Sequence, residues 1–206
     1  MGTNVYVDGF NLYYGCLKGS PYKWLDLSVL ARALLPGEDV NRIRCFTAIV
    51  SARPGDPDQP QRQQVYLRAL KTIPRPSVHM GHYLSHSTRM PLAHPLSGGP
   101  TTVEVIKTEE KGSDVNLATY LLLDAFERDC DAALVISNDS DLKEPISVAQ
   151  SVLGLTVGIA NPHPARRRSR ALRPTFFKQI RESALRSSQF LPILQDEKGE
   201  TRKPPS

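Results

Sequence analysis

The chain has 206 residues, of which 40% are hydrophobic and 23% are charged, with a net charge of +5. This composition predicts one soluble globular domain and excludes a disordered chain. No apolar run is long enough to cross a bilayer, and the first residues lack the features of a secretory signal, so we expect a cytoplasmic protein.

Charge is unevenly distributed along the sequence. Residues 166–206 contain 11 Lys and Arg against 4 Asp and Glu, whereas residues 1–165 contain 15 against 17. A basic segment next to a slightly acidic body favours a polyanionic partner near the C-terminus. A solvated basic tail is the alternative, and charge alone does not decide between them.

The predicted elements alternate between strands and helices. Strands are predicted at 4–8, 43–50, 77–84, 132–136 and 156–160, and helices at 27–35, 61–73 and 142–152. A further helix begins near Ser113, with an apolar stripe predicted to comprise Val115, Ala118, Leu122, Ala125 and Phe126. This alternation predicts an α/β fold, with a parallel sheet of about five strands covered by helices on both faces.

Three segments are predicted to lack regular structure. Residues 54–60 form a turn-rich loop, and residues 85–101, rich in Ser, Pro, Gly and His, form a long exposed loop on the substrate-facing side. After this loop, 102–108 is predicted to pair with the third strand or to extend it. The domain is expected to span residues 1–192, followed by a disordered tail at 193–206.

Aspartates follow two of the predicted strands and open one helix. Asp8 ends the first strand, Asp139 and Asp141 follow the fourth strand, and Asp114 opens the helix between them. Because ligands of parallel sheets bind beyond the carboxyl ends of the strands, the four carboxylates converge if the first and fourth strands are neighbours. Clustered carboxylates repel one another unless they bind a cation, and oxygen ligands suit Mg²⁺. Each aspartate alone could instead be a turn or helix-capping residue.

Three motifs that contain these aspartates resemble the NYN domain, a PIN-like nuclease family that includes the LabA-like proteins. The motifs are Val-Asp-Gly-Phe-Asn-Leu at 7–12, Lys-Gly-Ser-Asp-Val-Asn-Leu-Ala at 111–118 and Ser-Asn-Asp-Ser-Asp-Leu at 137–142. The segment 176–192 is also similar to the end of LabA-like chains. The resemblance implies a Rossmann-like (PIN-like) sheet and a ribonuclease that uses Mg²⁺ or Mn²⁺, often on structured or transfer RNA.

The resemblance also implies roles for the clustered side chains. Asp8, Asp114 and Asp139 would bind the metal, and Asp141 would be a further ligand or lie directly behind the ligands. These four aspartates, together with Asn11, make up the predicted catalytic set.

Two polar residues would support the ligands. Asn11 would orient Asp8 or a metal-bound water, and Ser137 would stand behind the metal ligands. This sequence differs from the family at Asn138, where glycine is common, and so places a side chain in a tight turn.

Basic and aromatic residues near the motifs are candidates for RNA contacts. The predicted phosphate contacts are Lys107, Lys111, Arg166, Arg167, Arg168 and Arg170. The arginines follow the last predicted sheet strand and therefore lie near an edge, whereas the lysines could belong to a solvated charged turn. Tyr13 and Tyr14 could stack on an unpaired base or pack in the core.

Other enzyme classes fit the sequence less well. A haloacid-dehalogenase-like phosphatase would need a second aspartate at position 10, which is Phe10, and neither GxGxxG nor a P-loop motif occurs. Two function hypotheses follow. The first is a metal-dependent endoribonuclease that hydrolyses RNA phosphodiester bonds, and the second is a non-catalytic RNA-binding or regulatory module.

Overall fold

A computed structural model describes residues 2–52, 55–197 and 199–205. The strands are β1 (Thr3–Asp8), β2 (Val40–Thr47), β3 (Pro76–Met80), β4 (His82–Pro91), β5 (Thr102–Lys111), β6 (Ala132–Ile136), β7 (Thr156–Asn161), β8 (Phe176–Gln179), β9 (Ile193–Asp196) and β10 (Gly199–Arg202). The α-helices are α1 (Gly9–Leu12), α2 (Leu27–Leu34), α3 (Gln59–Leu70), α4 (Ser113–Phe126), α5 (Lys143–Ser151) and α6 (Glu182–Ser187). A π-helical turn spans Tyr13–Leu17, and 3₁₀ turns span Ser140–Leu142 and Ala165–Arg167.

Six strands form one parallel sheet in the order β3-β2-β1-β6-β7-β8. The predicted α/β fold is confirmed, and the sheet gains β8 beyond the five strands that were predicted. β1 and β6 are neighbours, with Val7 opposite Ile136. The carboxyl ends of these two strands therefore lie side by side, as the convergence of the aspartates requires.

Helices cover both faces of the sheet, as predicted. Successive side chains of a strand point to opposite faces, so Val5 and Val7 pack with α2 and α3, whereas Tyr6 packs with α4 and α5. The two buried clusters hold the sheet between two helical layers. No helix among the described residues is long and apolar enough to span a membrane.

The apolar stripe predicted for α4 is wrong at its two ends, although Ala125 is buried and Leu122 packs against the same buried cluster. Val115 and Phe126 are 68% and 73% exposed, whereas Leu117 and Leu121 are buried. The helix is rotated because its polar residue Asp124, only 1% exposed, also faces the sheet. The spacing of apolar residues does not predict this orientation of α4, because the orientation depends on a cationic side chain from another strand.

That cation is Arg44 on β2. Its guanidinium donates to both carboxylate oxygens of Asp124, at 2.9 and 2.7 Å. The hydroxyl of Tyr6 on β1 donates to the same carboxylate at 2.7 Å. A buried charge needs partners of this kind. The network therefore holds α4, whose first turn carries Asp114, against the sheet.

The predicted exposed loop at 85–101 is wrong over its first half. The predicted strand at 77–84 divides at Gly81, and β4 then runs to Pro91 and pairs along its length with β5. The segment 102–108 therefore pairs with β4 and not with the third sheet strand. The polar side chains of this two-stranded hairpin are largely exposed, so alternating hydrophobicity does not mark the strand. Gly81 lies against the base of the hairpin. A Cβ atom at this position would lie only 2.6 Å from the carbonyl oxygen of Lys111, so a larger residue would collide with the backbone.

The segment 193–206, expected to be a disordered tail, contains an antiparallel pair of strands over its described part, β9 and β10. Arg68 on α3 donates to both carboxylate oxygens of Asp196 at 2.6 Å and to the carbonyl of Gly199 at 3.1 Å. Polar contacts, which composition does not reveal, hold this segment on α3. The domain boundary at 192 stays a prediction. The predicted loop at 54–60 begins at residue 54, outside the described residues, and its end already belongs to α3.

Candidate metal centre

Three carboxylates meet at the carboxyl edge of the sheet. Asp8, Asp114 and Asp139 each place one carboxylate oxygen within 4.8 Å of the others. Asp8 ends β1, Asp139 follows the neighbouring β6, and Asp114 lies in the first turn of α4 after Gly112, whose φ of 97° allows the chain to turn out of β5. The donors are hard carboxylate oxygens, which suit Mg²⁺ or Mn²⁺ better than a softer metal. The donor set therefore fits a divalent cation.

The electrostatics of the cluster favour a bound cation. Burial raises the pKa of Asp8 to about 6, against the hydrogen bonds that lower it, and the charge of Asp139 raises it further. Burial also raises the pKa of Asp114 to about 6, with Asp8 and Asp139 adding to the effect. Each carboxylate disfavours the ionised form of its neighbour, and a cation between them would remove that penalty.

Ser137 and Asn11 hold two of the aspartates in place. The hydroxyl of Ser137 donates to Oδ2 of Asp8 at 2.8 Å and accepts from the backbone amide of Asp139 at 3.1 Å. The backbone amide of Asn11 donates to Oδ1 of Asp8 at 2.9 Å. The side chain of Asn11 accepts from the backbone amide of Asn138 at 3.0 Å. The Asn11 side chain thus fixes the turn after β6, while its backbone amide contacts Asp8; its role in orienting Asp8 or a metal-bound water stays a prediction.

Asp141 is not one of the three clustered carboxylates. It is exposed, and its backbone amide donates to Oδ1 of Asp139 at 3.0 Å. Asp139 therefore caps the 3₁₀ turn that follows β6. The charge of Asp141 still contributes to the raised pKa of Asp114. Its role as a metal ligand stays a prediction.

Asn138 connects the acidic cluster to the basic segment 166–170, which we call the arginine loop. Its Nδ2 donates to the carbonyl of Arg167 at 2.8 Å, and its Oδ1 accepts from the backbone amide of Ser169 at 2.7 Å. Asn138 does not adopt the left-handed backbone conformation. Among the described non-glycine residues, only Arg128 has a positive φ. The two hydrogen bonds of its side chain give Asn138 a defined position.

All four arginines of this loop, Arg166, Arg167, Arg168 and Arg170, are exposed. The guanidinium carbon of Arg168 lies 3.7 Å from the centre of the Phe177 ring. The hydrogen bonds of Asn138 place the loop beside the turn that carries Asp139. The structure thus places the backbone of this loop near the acidic cluster, and contact of its arginine side chains with phosphate stays a prediction.

The two predicted lysine contacts are placed differently. Lys107 and Lys111 form ion pairs with Glu109 at 2.6 and 3.2 Å. These three residues alternate along β5 with Glu110, which lines a cavity in front of the carboxylates, so they point to the opposite face of the strand. The structure does not bring the lysines to the carboxylates, and their contact with RNA stays a prediction.

The cavity of about 350 Å³ in front of the carboxylates, which we call the acidic cavity, is also lined by residues that the sequence analysis did not assign to the site. They are Phe10, Tyr83, Glu110, Ser113 and His163. Glu110 accepts from the amide and the hydroxyl of Ser113, at 3.1 and 2.7 Å, where α4 begins. His163 follows β7, so the rule that identified Asp8, a polar residue at the carboxyl end of a strand, could have identified it. Tyr83 lies on β4, in a hairpin that the sequence did not predict.

Comparisons with known proteins identify the family and the fold. The NYN domain family model matches residues 2–178. A protein from Pseudomonas putida named 6-hydroxy-3-succinoylpyridine 3-monooxygenase is 30% identical over 193 residues, an alignment that covers 81% of this chain. The chain spans only 61% of that protein's length. A crystal structure of a protein of unknown function from Vibrio parahaemolyticus has the same fold, with a TM-score of 0.55 and 19% identity over 87% of this chain and 93% of that one.

Proposed function

Because the chain belongs to the NYN domain family, we propose that it is an endoribonuclease that hydrolyses RNA phosphodiester bonds with Mg²⁺ or Mn²⁺. The observation that carries this proposal is the group of three carboxylates within 4.8 Å at the carboxyl edge of the sheet. Asp8, Asp114 and Asp139 would hold the cation, with Asp141 as a further ligand or directly behind them. A bound cation lowers the pKa of a water molecule and stabilises the charge of a phosphoryl group.

The chain's own residues prepare the site for this chemistry. Ser137 and the backbone amide of Asn11 restrain both oxygens of Asp8, so the carboxylate keeps one orientation. Residues that orient metal ligands in this way contribute substantially to metal affinity. The side chain of Asn11 holds the turn that positions Asp139.

RNA would be held by groups on either side of the carboxylates. The arginine loop would bind phosphates, which gives affinity without sequence preference. The rings of Phe10, Tyr14 and Tyr83 line the acidic cavity and could stack on unpaired bases. Lys107 and Lys111 would bind more distant phosphates along β5. Structured or transfer RNA, whose single-stranded parts expose bases, is the proposed substrate class.

A second candidate function is suggested by the Pseudomonas putida relative, whose name describes action on a small heteroaromatic acid. The observation that favours it is a second cavity, lined by aromatic rings, that shares Phe10 and Tyr14 with the cavity in front of the carboxylates. The non-catalytic RNA-binding or regulatory module is the third possibility. It would bind RNA with the same salt dependence and release no product.

A cleavage assay separates these functions. Mixed cellular RNA is incubated with the protein and Mn²⁺, Mg²⁺ or EDTA, and the products are sequenced. Cleavage is expected with either metal and is abolished by EDTA. In parallel, 6-hydroxy-3-succinoylpyridine is incubated with the protein, oxygen and an electron donor, and the mixture is analysed by mass spectrometry. Turnover of that acid without RNA cleavage would favour the second function.

The double variant Asp114→Asn, Asp139→Asn is expected to lose RNA cleavage. Asp39→Asn is the matched control, because Asp39 is 77% exposed and precedes β2 at the opposite edge of the sheet. Cleavage that persists in the double variant would exclude the proposed metal centre. RNA binding without metal-dependent cleavage would support the non-catalytic module.

A further inference from the structure

A second cavity of about 200 Å³ adjoins the acidic cavity and shares Phe10 and Tyr14 with it. Rings of Tyr13, Trp24 and Tyr66 also line it, and we call it the aromatic cavity. A cavity of about 150 Å³ holds one benzene ring, whereas drug-sized ligands occupy roughly 300–1,000 Å³. The size of the aromatic cavity therefore suits a single six-membered ring better than a fused pair.

The chain segment between the two cavities is continuous with the metal ligands. Asp8 ends β1, and α1 and the π-helical turn Tyr13–Leu17 follow directly. Asp8 and Asn11 line the acidic cavity, whereas Leu12 and Tyr13 line the aromatic cavity. π-Helical turns are rare and occur often at functional sites. A ring bound in the aromatic cavity would consequently lie close to the carboxylates.

Cationic side chains also line the aromatic cavity. Arg62 is already paired with Asp56, at 2.5 and 2.6 Å. Lys23 and Lys203 are exposed, and neither forms an ion pair with a described residue. Two uncompensated ammonium groups favour a ligand that carries a negative charge.

We propose that the aromatic cavity binds a single planar ring that carries an anionic group. This chemistry is found in the pyrimidine of a nucleotide and in a free pyridine carboxylate. In an RNA strand, the pyrimidine would lie in the aromatic cavity, with one neighbouring phosphate at Lys23 and Lys203 and the other at the acidic cluster. Only this placement in a strand rests on the proposed nuclease function.

The sole tryptophan of the chain gives a direct probe of this cavity. Trp24 is 2% exposed and lines the cavity, so its fluorescence reports on a bound ring. The metal-free protein is titrated in EDTA with uridine monophosphate, nicotinate, adenosine monophosphate and ribose phosphate. A saturable change is expected with a single-ring ligand, at least about fivefold weaker binding with the fused ring of adenosine, and no change with ribose phosphate.

Two matched tyrosine variants test the location. Tyr13 lines only the aromatic cavity, and Tyr83 lines only the acidic cavity. Tyr13→Ala is expected to weaken binding of the single-ring ligand at least about fivefold, the effect of losing one ring contact. Tyr83→Ala is expected to have a smaller effect, because Tyr83 contacts the shared Phe10 ring, at 6.0 Å between ring centres, but does not itself line the aromatic cavity. Thermal unfolding shows whether each variant is folded.

The double variant Lys23→Gln, Lys203→Gln changes only exposed side chains and tests the same proposal should Tyr13→Ala unfold. It is expected to weaken binding of the anionic ring ligands at least about threefold at low salt, where surface charges are least screened. Tighter binding of uridine monophosphate identifies a nucleotide ligand, and tighter binding of nicotinate identifies a free pyridine acid. Equal responses to ribose phosphate and the ring ligands, or no response to either single-ring ligand, would overturn the proposal. Because no metal or cleavage is involved, this outcome is separate from a failure of the nuclease function.

Discussion

The hydroxyl of Ser137 donates a hydrogen bond to Oδ2 of Asp8 at 2.8 Å, between two neighbouring strands of the sheet. Both residues are buried, at 0% and 3% exposure. The same hydroxyl accepts from the backbone amide of Asp139. One side chain therefore fixes the relative positions of two proposed metal ligands.

Ser137→Ala is expected to weaken Mn²⁺ binding about tenfold or more, because Asp8 loses the donor that orients it. The free energy of unfolding should fall by about 1–3 kcal/mol, since buried polar atoms lose a partner. Calorimetric titration with Mn²⁺ and chemical denaturation measure the two effects. Ser187→Ala on α6, where the hydroxyl is exposed, is the control. Unchanged Mn²⁺ affinity in Ser137→Ala would contradict the positioning role.

The stability of the metal-free protein is expected to fall as the pH rises. The pKa values of Asp8 and Asp114 are raised to about 6 from an ordinary value of 3.8, so the folded state keeps protons that the unfolded state has lost. The stabilisation is complete below about pH 4 and is lost as the pH rises through about 6. Thermal unfolding in EDTA over this range measures the change.

Added Mn²⁺ is expected to have the opposite pH dependence, because it binds the ionised carboxylates. It should raise the melting temperature more at about pH 7.5 than at about pH 5. Asp114→Asn should reduce the increase at the higher pH. An equal increase at both pH values would show that Mn²⁺ binds elsewhere.

Asn138→Gly is expected to weaken RNA binding while Mn²⁺ affinity stays the same. The variant removes the two hydrogen bonds that hold the arginine loop beside the acidic cluster. Its backbone amide, which donates to Asn11, remains. A loss of about three- to tenfold in affinity, roughly one hydrogen bond's net contribution, is expected in fluorescence anisotropy with EDTA present. If Mn²⁺ affinity falls equally, the turn itself has changed.

Arg166→Gln with Arg170→Gln is expected to reduce the salt dependence of RNA binding. Each phosphate contact contributes about 0.7 to the slope of log affinity against log salt for single strands, so the slope should become shallower by about 1.4. Arg186→Gln, an exposed arginine paired with Glu182, is the control. Lys107→Gln with Lys111→Gln should have a smaller effect, because Glu109 already neutralises part of their charge. An unchanged slope in the arginine variant would exclude this loop as a phosphate contact.

The sequence by itself determined the alternation of strands and helices and the placement of Asp8 and Asp139 after strands. Both are local properties, since hydrophobic periodicity and strand ends depend on neighbouring residues in the chain. The parallel sheet follows from them, because strands separated by helices pair in one direction. The motifs around Asp8, Asp114 and Asp139 were therefore enough to predict the acidic cluster.

Only the tertiary structure decided which other side chains join these aspartates. Glu110 lines the cavity although it lies just before the motif at 111–118, and Asp141 does not belong to the clustered group although it lies within the motif at 137–142. The face that α4 buries depends on Arg44, a residue 80 positions from Asp124 in the chain. Such contacts depend on how separate elements pack, because a helix or strand has several possible faces and its partners select one.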